Sequence, residues 1–218
     1  MANFTFTGPY GDIECVVNNC MSNEIVLIMA HGFRGSRDGG GRSTAFAQMA
    51  AGVCKVVRFN FNGSQILSRQ VEELQAVIAT VREKLKPQKL FLLGRSLGGA
   101  ASMITASADE NIDVLILWAT PNDLRKTFWN ALGEELYNKL DAGETLHLED
   151  ERGKMDLTPD FLTDLDRDQS SHRRTMVGRK CLDLADLYRY WYIPGADYDR
   201  RRKHLLWNLY LISRWCKC

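Results

Sequence analysis

Leu92-Leu93-Gly94-Arg95-Ser96-Leu97-Gly98-Gly99-Ala100 decides how this chain is read. It is a G-x-S-x-G motif set between a strand-like run over 89–93 and a helix-like run over 97–107. A serine perched on a tight strand-to-helix turn needs small neighbours two residues to either side, because a side chain there collides with the strained backbone. Gly94 and Gly98 meet that need. The helix beginning at Leu97 then directs its free N–H groups and positive dipole end toward the serine. Ser96 is therefore the candidate nucleophile, and the N–H of Leu97 a candidate oxyanion donor.

Upstream of this motif, strand-like and helix-like segments alternate. Phe4-Thr5-Phe6 and residues 13–17 read as two strands joined by a turn at Gly8-Pro9-Tyr10-Gly11. Ile25–Ala30 is apolar throughout, the pattern of a strand covered on both faces. It runs into His31-Gly32-Phe33-Arg34-Gly35-Ser36, a loop able to lend a second backbone N–H, that of Phe33, to the oxyanion. A short helix over 43–51 and a strand over 54–59 follow. Leu67, Val71, Leu74, Val77, Ile78, Val81 and Leu85 then recur at steps of three and four, an amphipathic helix stopped by Pro87. Downstream, residues 114–118 are strand again. Such alternation predicts an α/β fold, a mostly parallel sheet with helices on both faces and its active site at the carboxyl ends of the strands.

The composition bounds the alternatives. With 218 residues, 45 % hydrophobic and 25 % charged, the chain has ordinary globular content and enough length for one sizeable α/β core. A formal charge of +1 gives no general attraction to nucleic acid or to an anionic membrane. The first ten residues carry no basic cluster followed by an apolar stretch, and runs such as Ile25–Ala30 are far too short for a bilayer, so a cytoplasmic protein is expected. Cys15, Cys20, Cys54, Cys181, Cys216 and Cys218 form no C-x-x-C pair and no zinc spacing, so reduced thiols are expected. Gly39-Gly40-Gly41 lacks the Lys-Ser/Thr of a phosphate loop and reads as a flexible loop.

From Pro121 the pattern changes. Leu124, Phe128, Trp129, Leu132, Leu136 and Leu140 form a helical stripe, and residues 141–170 hold ten acidic side chains against three basic. A charged insertion after a core strand suits a lid or cap. The balance then reverses: residues 171–218 hold eleven Lys and Arg against four acids, with three of the five Trp and five of the seven Tyr. The expected organisation is a core over 1–120, a small helical cap over 121–168 and an atypical final part of the core over 169–218.

The chain resembles the α/β-hydrolase superfamily, in particular its small esterases, feruloyl-esterase-like enzymes and serine aminopeptidase-like hydrolases. The resemblance rests on His31-Gly32-Phe33, Arg58-Phe59-Asn60-Phe61-Asn62-Gly63 and Gly94-Arg95-Ser96-Leu97-Gly98-Gly99, and covers about residues 1–168. It implies acyl transfer from an ester, thioester or amide through an acyl-serine, with no metal and no cofactor. It also implies a base and an acid in the order Ser, acid, His. Here the chain departs from the pattern. Residues 170–187 show no apolar strand leading to an acid, and Gly195-Ala196-Asp197-Tyr198 has Tyr where relatives have His. His31 belongs to the oxyanion loop, His147 to the acidic cap, and His172 precedes any final strand. His204 remains as candidate base; Asp123, just after the sixth strand, is the leading candidate acid, ahead of Asp183 and Asp186. The tail is what an internal deletion or a changed reading frame would leave.

The expected function is a serine esterase acting on a small-molecule acyl substrate, with no nucleic-acid or membrane partner. The alternatives are an inactive relative that binds a small ligand under its cap, and a protein that holds an acidic partner through Arg173-Arg174 and Arg200-Arg201-Arg202-Lys203.

Overall fold

The computed structural model describes residues 3–21, 24–62, 65–151, 153–169 and 181–183. β1 (Phe4–Gly8) and β2 (Gly11–Asn18) form a hairpin, and β3 (Ile25–Ala30) is buried along its whole length. A glycine-rich turn leads into α1 (Arg42–Ala50), followed by β4 (Lys55–Phe59), α2 (Leu67–Leu85), β5 (Lys89–Arg95), α3 (Leu97–Ala108) and β6 (Val114–Trp118). These match the segments expected from the sequence to within two residues at either end. Pro87 has the anticipated effect: α2 stops at Leu85, with Lys86 turned into the left-handed region at φ 46°.

After β6 come α4 (Leu124–Leu132), α5 (Glu134–Asp141), β7 (Leu146–Asp150), β8 (Gly153–Leu157), α6 (Asp160–Gln169) and β9 (Cys181–Asp183). Two differences from expectation appear here. The segment over 121–168, expected as a small helical cap, holds an antiparallel hairpin of β7 and β8 besides its helices. A further strand also exists where none was read: Cys181-Leu182-Asp183 pairs in parallel with Leu115-Ile116-Leu117 of β6. Three residues suffice because the partner edge supplies the hydrogen bonds. The basic, aromatic-rich segment after residue 183, with Asp186 and His204, lies outside the described residues, as does His172.

The sheet order is β1-β2-β4-β3-β5-β6-β9, antiparallel across β1, β2 and β4 and parallel from β4 to β9. After β3 the chain turns to one side to form β4, then crosses back to the other side to form β5. The chain leaving β3 thus goes to α1 on one face of the sheet and the chain leaving β5 to α3 on the other, the kind of topological switch point at which open α/β sheets bind ligands. Register brings the two loops level, since Ala30 pairs with Gly94.

Phe46, Ala47 and Met49 of α1 cover one sheet face, against Leu27, Val56, Phe91 and Leu93. The other face is covered by α2 and α3, and the buried residues of the cap, among them Phe128, Leu140, Leu157 and Phe161, belong to that same cluster. Most of the acidic side chains of this segment face outward, Asp164 excepted. Asp164 of α6, 5 % exposed, reaches α2 and accepts hydrogen bonds from the N–H and hydroxyl of Ser68 at 2.8 and 2.7 Å. Arg125 of α4 joins Asp141 and Asp166, which raises its already high pKa. Among the described residues no helix is long and apolar enough to cross a membrane.

Candidate active site

Ser96 sits between β5 and α3 with φ 51° and ψ −122°, a conformation an L-residue rarely adopts. Such strain costs about 1–3 kcal/mol and persists only where the surroundings enforce it. They do so here. Its N–H donates to the Trp118 carbonyl at 3.0 Å, and its own carbonyl accepts the Gly99 N–H at 2.8 Å. Gly94 and Gly98 allow this crowding: a Cβ on Gly94 would strike the Gly98 carbonyl oxygen and Ser102 Oγ, and one on Gly98 the His31 carbonyl oxygen. Ser96 itself remains partly exposed.

The turn after β3 lies against this elbow. Gly35 N–H closes it on the Gly32 carbonyl at 2.9 Å, with Arg34 in the left-handed region at φ 48°. Phe33 N–H donates to no group among the described residues. Leu97 N–H opens α3, where a helix has no acceptor of its own for that group. Among the described residues two backbone donors thus stand unspent on the two loops that meet at Ser96.

Both ring nitrogens of His31 face backbone groups. Its Nε2 accepts the Phe61 N–H at 3.1 Å, and its Nδ1 lies 2.9 Å from the Gly32 carbonyl oxygen. An acceptor role at Nε2 places the proton on Nδ1, so both nitrogens are committed to backbone. Burial pushes the imidazole pKa below its ordinary value, against the smaller pull of the Gly32 carbonyl. A neutral His31 staples the turn after β3 to the loop after β4.

The other candidates separate. Asp123 caps α4, its Oδ1 accepting the Lys126 N–H at 2.9 Å. His147 stands exposed on the outer face of the β7–β8 hairpin, 2.7 Å from Asp156, opposite the buried face of Leu146 and Leu157. Asp183 ends β9 in register with Leu117, which in turn pairs with Gly94. It thus lies two strands across from the elbow at the carboxyl edge. The sequence hides this, since Cys-Leu-Asp carries no strand signature of its own.

Neither a family model nor a curated protein matches the sequence. Solved structures match its fold. A lidless α/β serine hydrolase from Xanthomonas campestris is 27 % identical, with a TM-score of 0.50 over 56 % of this chain and 62 % of that one. Mouse alpha/beta hydrolase domain-containing protein 10 aligns over 77 % of this chain and 70 % of its own, at 16 % identity and TM-score 0.55. An esterase from Pyrococcus furiosus aligns over 64 % and 62 %, at 15 % identity and TM-score 0.50. This chain has the α/β-hydrolase fold. It spans 62 % of the length of the Xanthomonas protein. Within the α/β-hydrolase fold, the Ser96 elbow and the Phe33 turn occupy the carboxyl edge of the parallel strands, and β9 extends that edge beyond β6.

Proposed function

We propose that this chain is a serine hydrolase that cleaves a carboxylic ester through an acyl-serine intermediate on Ser96. The observation that carries the reading is the strained Ser96 at the start of α3, packed against the turn that carries Phe33. Ser96 Oγ attacks the acyl carbon and its proton passes to the base. The N–H groups of Phe33 and Leu97 hold the oxyanion, and preorganised donors of this kind contribute much of the rate. Collapse expels the alcohol, which takes the proton from the base; water then attacks the acyl-serine and repeats the cycle.

His204 is the proposed base. For the acid, what supports Asp183 over Asp123 is register on one side and occupation on the other: Asp183 ends a strand beside β6, whereas Asp123 is engaged in capping α4. The substrate is a small acyl compound, and no metal or cofactor enters the reaction. A second reading, an inactive relative that retains ligand binding, is favoured by Tyr198 in the Gly-Ala-Asp context where His is expected.

Intact-mass labelling with a fluorophosphonate, on the native chain and on Ser96→Ala, separates the two. One phosphonyl adduct on the native chain and none on the variant is expected. Folded native protein that takes no adduct would rule the hydrolase reading out and leave the second.

A further inference from the structure

We propose that Arg34 and Asp150 are positioning residues, whose ion pair ties the tip of the cap hairpin to the Phe33 turn and so holds the oxyanion donor in place. The inference rests on the hydrolase reading for its catalytic consequence, but not for the latch itself. Arg34 immediately follows Phe33, and only 8 % of its side chain is exposed. Its Nη2 lies 2.9 Å from Asp150 Oδ1 at the end of β7 and donates to the Gly153 carbonyl at the start of β8.

The Gly35 bond closes the turn and His31 ties its base to the core, but the tip at Phe33 and Arg34 needs further support. Arg34 is left-handed without being glycine, so its geometry depends on outside contacts. For the two side chains at the tip, they come from residues 124–161. The Phe33 ring meets Phe128 of α4 edge to face at a centroid distance of 5.0 Å, and Phe161 of α6 at 5.5 Å. On the core side, Gln65 Oε1 accepts the Arg34 N–H at 2.9 Å. Two cap helices and the cap hairpin therefore converge on two consecutive residues, one of which carries the donor. Removing Asp150 leaves a buried guanidinium without its counter-charge, and a charge in that state moves toward water. Arg34 follows Phe33 directly, so losing this anchor loosens the backbone of the turn that carries the Phe33 N–H. Seating of the cap and formation of the oxyanion hole are then one event.

The test compares native protein with Asp150→Ala by hydrogen exchange and by the rate of Ser96 phosphonylation. The Arg34 and Gly35 amides, both hydrogen-bonded in the turn, are expected to exchange about tenfold faster in the variant while β3 and β5 keep their protection. Phosphonylation is expected to slow ~10–100-fold, part of what removal of a whole oxyanion donor costs. In turnover of an ester that loss falls on kcat with KM little changed. Unchanged exchange at Arg34 and Gly35 overturns the latch, whether or not Ser96 reacts. Faster exchange with an unchanged phosphonylation rate overturns its link to the oxyanion. A native chain that takes no phosphonate removes the hydrolase reading, and the exchange result alone then decides the latch. If Asp150→Ala also loosens β3, Asp150→Asn, which keeps the volume, carries the comparison with the same readings.

Discussion

A Cβ added to Gly32 would lie 2.9 Å from the Ser96 Cβ and 2.9 Å from the Arg95 carbonyl oxygen, so the Phe33 turn and the Ser96 turn meet with no room for a methyl group. Neither neighbour is the free end of a flexible side chain. Gly32→Ala is therefore expected to separate the two loops at a cost of ~1–3 kcal/mol, as overpacking does. The sheet should survive and the donor geometry should not. Fluorophosphonate labelling of Ser96 is expected to slow on the order of 100-fold, comparable to the loss of one oxyanion donor. Native-rate labelling of a folded Gly32→Ala variant would refute the close approach.

The neutral state of His31 carries a pH dependence of stability. Its folded pKa is lowered from 6.5, chiefly by desolvation, so below 6.5 the unfolded chain takes up a proton that the folded chain refuses. The contribution is complete above 6.5 and is lost as pH falls toward the depressed value. Glu73, buried in α2 and raised from 4.5 by desolvation despite its bond from the Asn62 N–H, works with the opposite sign. Its contribution is complete below 4.5 and is lost as pH rises through its raised value. His31→Gln keeps a donor and an acceptor but removes the first titration. Urea unfolding at about pH 7.5 and about pH 5.5 should show the native chain losing more stability on acidification than the variant. Equal losses would mean that His31 is not held neutral.

Much of this was legible in the residues. β3 announced itself by apolar character on both faces, α2 by its three-and-four spacing, and Ser96 by the glycines on either side. The β7–β8 hairpin is also written there, since Leu146, Leu148, Met155 and Leu157 alternate with polar residues, but the density of acids around them obscures the period of two. Leu132 and Leu136, four apart, masked the break at Gly133, which turns at φ 81° and splits one apparent helix into α4 and α5. β9 was not legible, because its strand character comes from the open edge of β6. The His31 contact with the Phe61 amide spans 30 positions and has no local mark.

Asp164 anchors the cap through a helix that lacks a cap of its own. α2 starts after Ile66, which offers no side-chain acceptor, and Asp164 supplies one from α6 by accepting from Ser68 N–H and Oγ. Asp164→Ala should cost ~1–3 kcal/mol, the range for losing a helix cap or leaving buried donors unpaired. Denaturant titration should find the lower midpoint with an unchanged slope. A variant as stable as the native chain would mean that water replaces the carboxylate at no cost.

The acid partner can be assigned by a pair of isosteric changes. Asp123 uses Oδ1 on the Lys126 N–H, and Asp123→Asn keeps an oxygen for that bond, so about 1 kcal/mol of cap stability is the most it should lose. Its effect on phosphonylation should be slight. Asp183 stands level with Leu117, and through it with Gly94, on the strand beyond β6. If it orients the base, Asp183→Asn leaves the imidazole in the wrong tautomer, a change that costs on the order of 10⁴-fold where it has been made in such triads. The phosphonylation rate of Ser96 in the two variants reads this directly. A large loss in Asp123→Asn with none in Asp183→Asn would return the role to Asp123 and make β9 a sheet edge only. Small effects in both would mean that neither carboxylate activates Ser96.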